Sequence, residues 1–500
     1  MRGHGSGGGI GLSDCDVVVV GGGPGGSAAA YFLARAGAKV VQLEKKAFPR
    51  AKTCGDGLTP RAVAMIREMG LQSELDTYHR ASGIRIIATG KELELPFPKA
   101  STAPDYALVR PRKDFDATLA ANAQAAGAEL RTRTEAVAPH LDAEGRVAGV
   151  TWVRREPVEG GGVVKADEGI LHAPFVVVAD GASSSFGRAL GVARRTDTPL
   201  GLAVRTYYET DRSDDGFLEA WLEVRNAEDK MMPGYGWLFP VGDGTVNVGV
   251  GLLSTTRRAH KINLNELQRA FVDGLPERYH IGHDGQVGPY KSGRLPLGWN
   301  VPKPYGPGWL AIGDAAGVIN PLTGEGIAYA METGKMAAGL IASALADGSS
   351  AELSAYREAL KDTYAAYYRL GLDFLRLISH PRLFERLTSM GMTSRAWMSF
   401  LVQVMVNVAE PRGGGPGDRT FRAAVKVYEH RLEHLHDPQI AAPPLRRTRT
   451  STKRLGVSGN GTMSGGATRN GGKNVREANE ANEANHANEA NEAHKGAPVS

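Results

Sequence analysis

Residues 16–44 read DVVVVGGGPGGSAAAYFLARAGAKVVQLE, and this stretch decides the fold. Asp16 to Val20 is a continuous apolar run of the kind buried on both faces of a parallel sheet. It leads into Gly21-x-Gly23-x-x-Gly26, then a predicted helix over Ser27 to Ala36 that Gly37 stops. A second strand, Lys39 to Leu43, ends at Glu44. This is a βαβ unit, with glycines placed for a tight turn, for close approach of backbone to a diphosphate and for packing of helix on strand. The helix N-terminus offers free amides and partial positive charge to an anion. Glu44 is placed to accept hydrogen bonds from both hydroxyls of an adenosine ribose.

Two later segments extend the same lobe. Phe175 to Ala179 is a buried-type strand running into Asp180-Gly181, with Ser184 and Arg188 behind it. Trp309 to Ile312 runs into Gly313-Asp314-Ala315-Ala316, then Pro321 and Gly324-Glu325-Gly326-Ile327, which opens a helical pattern through Ile341. An Asp at a strand end beside a second helix N-terminus suits a ribityl chain, with the helix amides facing the pyrimidine oxygens of a flavin. Two helix termini serving one extended ligand indicate FAD rather than NAD. No second strand–glycine–helix fingerprint is present, so NAD(P)H would bind transiently or a redox protein would deliver the electrons.

Between these pieces, Gly201 to Tyr208, Leu218 to Val224, Gly236 to Pro240 and Thr245 to Gly251 alternate or run apolar with turn residues between them. They predict an antiparallel sheet inserted into the nucleotide-binding lobe. Residues 352–435 read as mostly helical. The expected fold class is therefore α/β, with a discontinuous Rossmann-like FAD-binding lobe over 14–195 and 305–345. A β-rich substrate lobe over 196–304 and a helical C-terminal region over 346–440 complete it. Residues 1–13 are Gly-rich and 441–500 run to Arg, Thr, Ser, Gly and Glu-Ala-Asn triplets, so both ends are expected to be disordered.

With 500 residues the chain has room for about three lobes at roughly 150 residues each. Its net charge of +5 is local: nine Lys/Arg and five Glu lie from Arg446 onward, leaving 50 basic and 49 acidic residues before it. A nearly neutral folded part argues against a nucleic-acid partner, which needs a clustered basic face. Cys15 and Cys54 alone cannot make a disulfide framework or a four-cysteine metal site, and they fit the cytoplasm. No signal-type or membrane-spanning apolar run is present; the nearest, Ala396 to Ala409, is short and interrupted by Ser399, Gln403 and Asn407. That segment, with the basic cluster Arg446, Arg447, Arg449, Lys453 and Arg454, leaves open peripheral contact at the inner face of a membrane.

The fingerprint, the Asp180-Gly181 turn and the Gly313–Ala316 segment resemble the flavoproteins that include aromatic hydroxylases and tryptophan halogenases. Pro49-Arg50-x-Lys52-x-Cys54-Gly55-Asp56-Gly57 and Tyr235-x-Trp237-x-Phe239-Pro240, with Gly249-x-Gly251 following, narrow the resemblance to the geranylgeranyl reductase family. Within it, the runs CGDGLTPRAV, PGYGWLFP and NPLTGEGIAYAMETG are similar to those of actinobacterial menaquinone reductases, over roughly residues 14–435. The resemblance implies an FAD-dependent reductase that saturates isoprenoid double bonds of a prenyl lipid, menaquinone above all. It implies FAD contacts at Gly21, Gly23, Pro24, Gly25, Gly26, Glu44, Cys54, Gly55, Arg112, Ala136, Asp314, Gly326 and Ile327, and an isoprenoid channel lined by Tyr235, Trp237 and Phe239. Arg112 is placed by an Arg-x-x-Phe-Asp pattern ending at Asp116.

An isolated alkene is not electrophilic, so hydride addition needs a proton with it. Cys54 and Asp56 are the candidate catalytic acids. Cys54 precedes a predicted helix start, Thr59 as N-cap and Pro60 as first residue, a setting that favours a thiolate. Two other readings stand beside this one: a flavin monooxygenase or halogenase of an aromatic substrate, and a flavoprotein that carries prenyl lipids without reducing them.

Overall fold

The computed structural model describes residues 13–195, 198, 200–253, 262–348, 351–378, 381–408, 419 and 423. The basic cluster after Arg446, most of residues 1–13 and the helical pattern expected beyond residue 423 lie outside the described residues. The core of the first lobe is a six-stranded sheet in the spatial order Tyr305–Gly306, Trp309–Ala311, Phe175–Val178, Val17–Val20, Val40–Leu43, Glu129–Arg131. Val17–Val20 is wholly buried because it pairs in parallel with Phe175–Val178 on one side and Val40–Leu43 on the other. Apolar side chains on both of its faces are the consequence.

The fingerprint helix is Pro24–Arg35, three residues longer at its start than the apolar pattern alone indicates. Proline at the first helical position fixes the required backbone angle at no cost in hydrogen bonds, so the glycines enter the helix. Gly21 holds φ +111°, and a Cβ there would lie 2.3 Å from the Ala179 carbonyl oxygen. This helix packs along Ile327–Asp347 through small residues: a Cβ on Gly334 would be 2.6 Å from the Gly25 oxygen. The close contact locks the N-termini of both helices to one sheet.

The second sheet has seven strands, in the order Gln286–Pro296, Leu200–Glu209, Thr245–Leu253, Gly234–Pro240, Phe217–Trp221, Gly83–Ala88, Lys91–Pro96. Two of them come from residues 83–96, upstream of the insert that the sequence suggested. A hairpin with Thr89 and Gly90 at positive φ joins them, and Phe217–Trp221 pairs with Gly83–Ala88 in parallel. A three-stranded sheet, Val163–His172, Val147–Pro157 and Thr134–Leu141, flanks the first lobe. Helices Ala355–Ile378, Pro381–Gly391 and Arg395–Met405 close the described chain. Tyr356, Tyr364, Tyr367 and Tyr368 of the first of these are buried in the main core.

Candidate active site

The glycine loop is a cradle with charged walls. The fingerprint helix starts at Gly23 without a side-chain cap, so its first amides remain available. A Cβ on Gly23 would stand 3.9 Å from a terminal nitrogen of both Arg50 and Arg112. These guanidiniums are held in place by acids: Arg112 forks onto Asp116 at 2.6 and 2.8 Å, and Arg50 bridges Asp116 at 2.9 Å and Glu44 at 3.0 Å. Glu44 also accepts the Gly22 amide at 2.9 Å. Ala136 lies in the strand Thr134–Leu141, whose first amide binds the Glu44 carbonyl, and its side chain is buried in the main core.

The second helix terminus completes the cradle. Gly326 is the N-cap of Ile327–Asp347 and likewise supplies no side-chain cap. A Cβ on Gly326 would lie 3.2 Å from Asp314 Oδ1, which puts the acid directly beside the start of the helix. Asp180 accepts the Phe186 amide with one oxygen, while the other, Oδ1, is buried without a partner. Free amides at the fingerprint helix start, a second helix N-terminus at which Glu325 takes the Ala328 amide, converging guanidiniums and an orphaned acceptor fit an extended, diphosphate-bearing ligand with hydroxyls.

Beside the cradle stands an aromatic wall. Tyr235, Trp237 and Phe239 occupy alternate positions on Gly234–Pro240 and so share one face of the strand. Their successive ring centroids are 6.0 and 6.4 Å apart. The spaced glycines opposite explain themselves here: a Cβ on Gly249 would fall 2.1 Å from the Trp237 ring. The loop Cys54–Gly57 lies against the same rings, for Cβ atoms on Gly55 and Gly57 would approach Phe239 to 3.2 and 3.1 Å. The Tyr235 hydroxyl donates to the Thr323 carbonyl, just before Gly324. Segments widely separated in sequence, around residues 54, 237 and 324, thus meet at one aromatic wall.

A buried polar relay joins wall and cradle. Trp237 Nε1 donates to Asn247 Oδ1 at 3.0 Å, and Asn247 Nδ2 donates to Asp56 Oδ2 at 2.7 Å and to the Cys54 carbonyl at 3.0 Å. Asp56 also accepts the Tyr207 hydroxyl at 2.5 Å and the Arg112 amide at 3.1 Å. It is fully buried and held at φ +64°. Burial pushes its carboxyl above the ordinary range, against the pull of Arg205, Tyr207, Asn247 and the Arg112 amide. Burial likewise pushes the Cys54 thiol up, and Arg112 only partly opposes it. The thiolate expected from the nearby helix start is therefore not favoured. Thr59 caps that helix through the Ala62 amide at 3.4 Å, and desolvation outweighs the helix dipole at Cys54.

The sequence points to Asp56 but not to its partners Asn247 and Tyr207, and it places Arg50 in a motif without a role for its guanidinium. Asn247 carried a signal, an amide among the apolar residues of TVNVGVGLL. Such a buried amide needs partners.

A family model described as FAD binding domain matches residues 14–369. The chain belongs to this family. The flavoprotein is 37% identical over 409 residues to a menaquinone reductase of Mycolicibacterium smegmatis, covering 82% of this chain and 95% of that one. It is 30% identical over 406 residues to digeranylgeranylglycerophospholipid reductase 1 of Methanopyrus kandleri, covering 76% of this chain and 97% of the relative. The crystal structure of a geranylgeranyl bacteriochlorophyll reductase-like protein from Thermoplasma acidophilum shares its fold, with a TM-score of 0.65 at 22% identity, over 82% of this chain and 99% of that one. Within the family the flavoprotein stands with the geranylgeranyl reductases. It is an FAD-dependent oxidoreductase.

Proposed function

We propose that this flavoprotein saturates one or more isoprenoid double bonds in the side chain of menaquinone. The observation that carries the reading is the relay from Trp237 through Asn247 to Asp56, which ties an apolar aromatic wall to a buried acid beside the cofactor cradle. The names of the two curated relatives support it, since both are reductases of prenylated lipids. An aromatic hydroxylase or halogenase would share the fold, and fold alone does not choose between them. A pure lipid carrier would need no acid in the wall.

In this reading the amides of Gly23, Gly25 and Gly26 would hold the diphosphate, with Gly21 at the turn and Pro24, which has no N–H, fixing the first turn of the helix; Glu44 would take the adenosine ribose, and Arg50 and Arg112 would balance the negative charge. Asp314 takes the ribityl chain, while Gly326, Ile327 and the Cys54-Gly55 backbone face the ring system. FAD bound there supplies a hydride at its N5 edge. Tyr235, Trp237 and Phe239 exclude water and present ring faces to the positive charge that develops on the more substituted alkene carbon. Asp56 holds the proton that the other alkene carbon receives, oriented by Tyr207 and Asn247. Hydride and proton together convert the double bond to a single bond. The electron donor, a nicotinamide or a redox protein, visits the site rather than residing in it. Lipid mass profiling of cells lacking and then regaining the gene tests the assignment. The cells lacking it should accumulate menaquinone poorer by two hydrogens per reduced bond, and an unchanged quinone profile would refute the assignment.

The lipid is proposed to enter from a bilayer at the helices Pro381–Gly391 and Arg395–Met405. Met390 and Trp397 are 69% and 49% exposed there. Met398 and Val402 of the second helix belong to the apolar cluster against which Phe239 packs. Arg386 and Arg395 are exposed beside them, matching an anionic surface. No helix of the described residues is long and apolar enough to cross a membrane. Replacing Met390 and Trp397 together by Glu should weaken co-sedimentation with anionic vesicles at least about tenfold, since one buried large side chain is worth about 1.5–3 kcal/mol. Equal sedimentation of variant and parent would locate the contact elsewhere.

A further inference from the structure

The loop Gly324-Glu325-Gly326 is shared by three parts of the molecule. A Cβ on Gly324 would lie 3.6 Å from the Tyr235 hydroxyl of the pocket wall, and one on Gly326 would lie 3.2 Å from Asp314 of the cradle. Glu325, between them, turns to the interior. Its Oε1 accepts the Ala328 amide at 3.0 Å, so the carboxyl sits on the N-terminus of the 327–347 helix. Its Oε2 is buried without a hydrogen-bond partner.

The charges around it are already committed. Arg61 gives Nε and Nη2 to Glu332 at 2.6 and 2.9 Å and Nη1 to the Asn407 carbonyl at 2.9 Å. Tyr364 donates to the same Glu332 at 2.5 Å. One arginine thus serves one glutamate, and among the described residues no ion pair reaches Glu325. The groups facing it are Arg61 and the Thr59 hydroxyl at the 60–68 helix, Glu332 on its own helix and Tyr329 and Tyr367 from the tyrosine cluster. A buried carboxyl with no cation of its own resists ionisation. Burial pushes Glu325 up to about 7, Glu332 adds to the shift, and Ala328 N–H, Arg61 and Thr59 oppose it.

A helix N-terminus stabilises one nearby negative charge well and two less well, because like charges repel in a poorly solvated site. Reduction of FAD adds negative charge to the pyrimidine ring, which the proposed cofactor pose places at this terminus. We propose that Glu325 is the redox-linked proton acceptor of the site: it takes up a proton as two electrons enter the bound cofactor and releases it when they leave. The balance is two electrons from the donor, one proton to the flavin and one to the carboxylate, giving a neutral acid at Glu325. This inference rests on FAD binding and on that pose, and is independent of which lipid is reduced.

The test follows the midpoint potential of the bound flavin by its absorbance in an optically transparent electrode cell, for the holoenzyme and for Glu325→Gln, which keeps an oxygen for Ala328 N–H. Reduction raises the affinity of Glu325 for a proton, so extra uptake falls above its oxidised-state value and vanishes below it. Between about pH 7 and 9 the parent potential should fall more steeply with pH than that of the variant, by up to one proton per two electrons, and the two slopes should run parallel below about pH 6. Identical slopes throughout would overturn the proposal. The infrared difference spectrum of the unmodified protein, reduced minus oxidised, gives a second readout free of any folding defect. A protonated-carboxyl stretch should appear on reduction at about pH 8 and vanish in the variant, and no such band in the parent would also overturn it.

Discussion

Gly26→Ala should give a colourless protein. A Cβ at this position would lie 2.0 Å from the Gly21 carbonyl oxygen and 3.3 Å from Ala179. The first contact is with backbone, so no side-chain rotation relieves it; the turn itself must shift. Overpacking of a fixed site costs about 1–3 kcal/mol, and here the displaced atoms are those that meet the diphosphate, so FAD should bind about 5- to 150-fold more weakly. Flavin absorbance after desalting and a titration of apoprotein with FAD give the measurement. A variant that stays yellow with unchanged affinity would show that the loop is not the diphosphate site. Circular dichroism separates loss of cofactor from loss of fold.

Asp56→Asn should leave a yellow protein that scarcely turns over. The amide matches the carboxyl in shape and keeps one acceptor for the Arg112 amide, but it carries no acidic proton. Its NH2 would also face the donors of Asn247 and Tyr207, now at 2.7 and 2.5 Å from Asp56 Oδ2. Loss of a positioned general acid lowers the rate by about 10²–10⁴. The unpaired donors cost about 1–3 kcal/mol of stability in addition. Because the folded carboxyl is raised, its acid form persists above the ordinary carboxylate range, and reduction of the lipid should slow as pH climbs through that raised value. Rapid-reaction traces with the cofactor already reduced isolate this step. An unchanged rate for the variant would remove Asp56 from proton transfer.

The glycine loop proposed to hold the cofactor was legible in the sequence because its logic is local. A strand, three glycines, a helix and an acid within residues 16–44 each carry a backbone requirement that few other residues meet. The aromatic wall was legible too, since alternate positions on one strand share a face. What escaped were the contacts that the topology brings together. Asn247 meets Asp56 across 191 positions and Tyr207 meets it across 151; no spacing rule links such pairs. The strands at residues 83–96 joined the second sheet for the same reason, through a parallel pairing with residues 217–221. Cys54 shows the opposite failure, in which a local rule was present and lost. Its place ahead of a helix pointed to a thiolate, but burial, which the sequence does not display, dominates the outcome.

One measurement bears most directly on the central claim. Flavin reduced with dithionite in D2O, in the absence of oxygen, is mixed with menaquinone, and the product is fragmented in a mass spectrometer. The naphthoquinone ring can itself accept electrons from a reduced flavin, so reoxidation of the cofactor alone decides nothing. The account predicts two deuteriums bound to carbon in the isoprenoid side chain for each bond saturated, one from the exchangeable flavin N5 position and one from the acid. A side chain that stays unlabelled and fully unsaturated while the flavin reoxidises would contradict it.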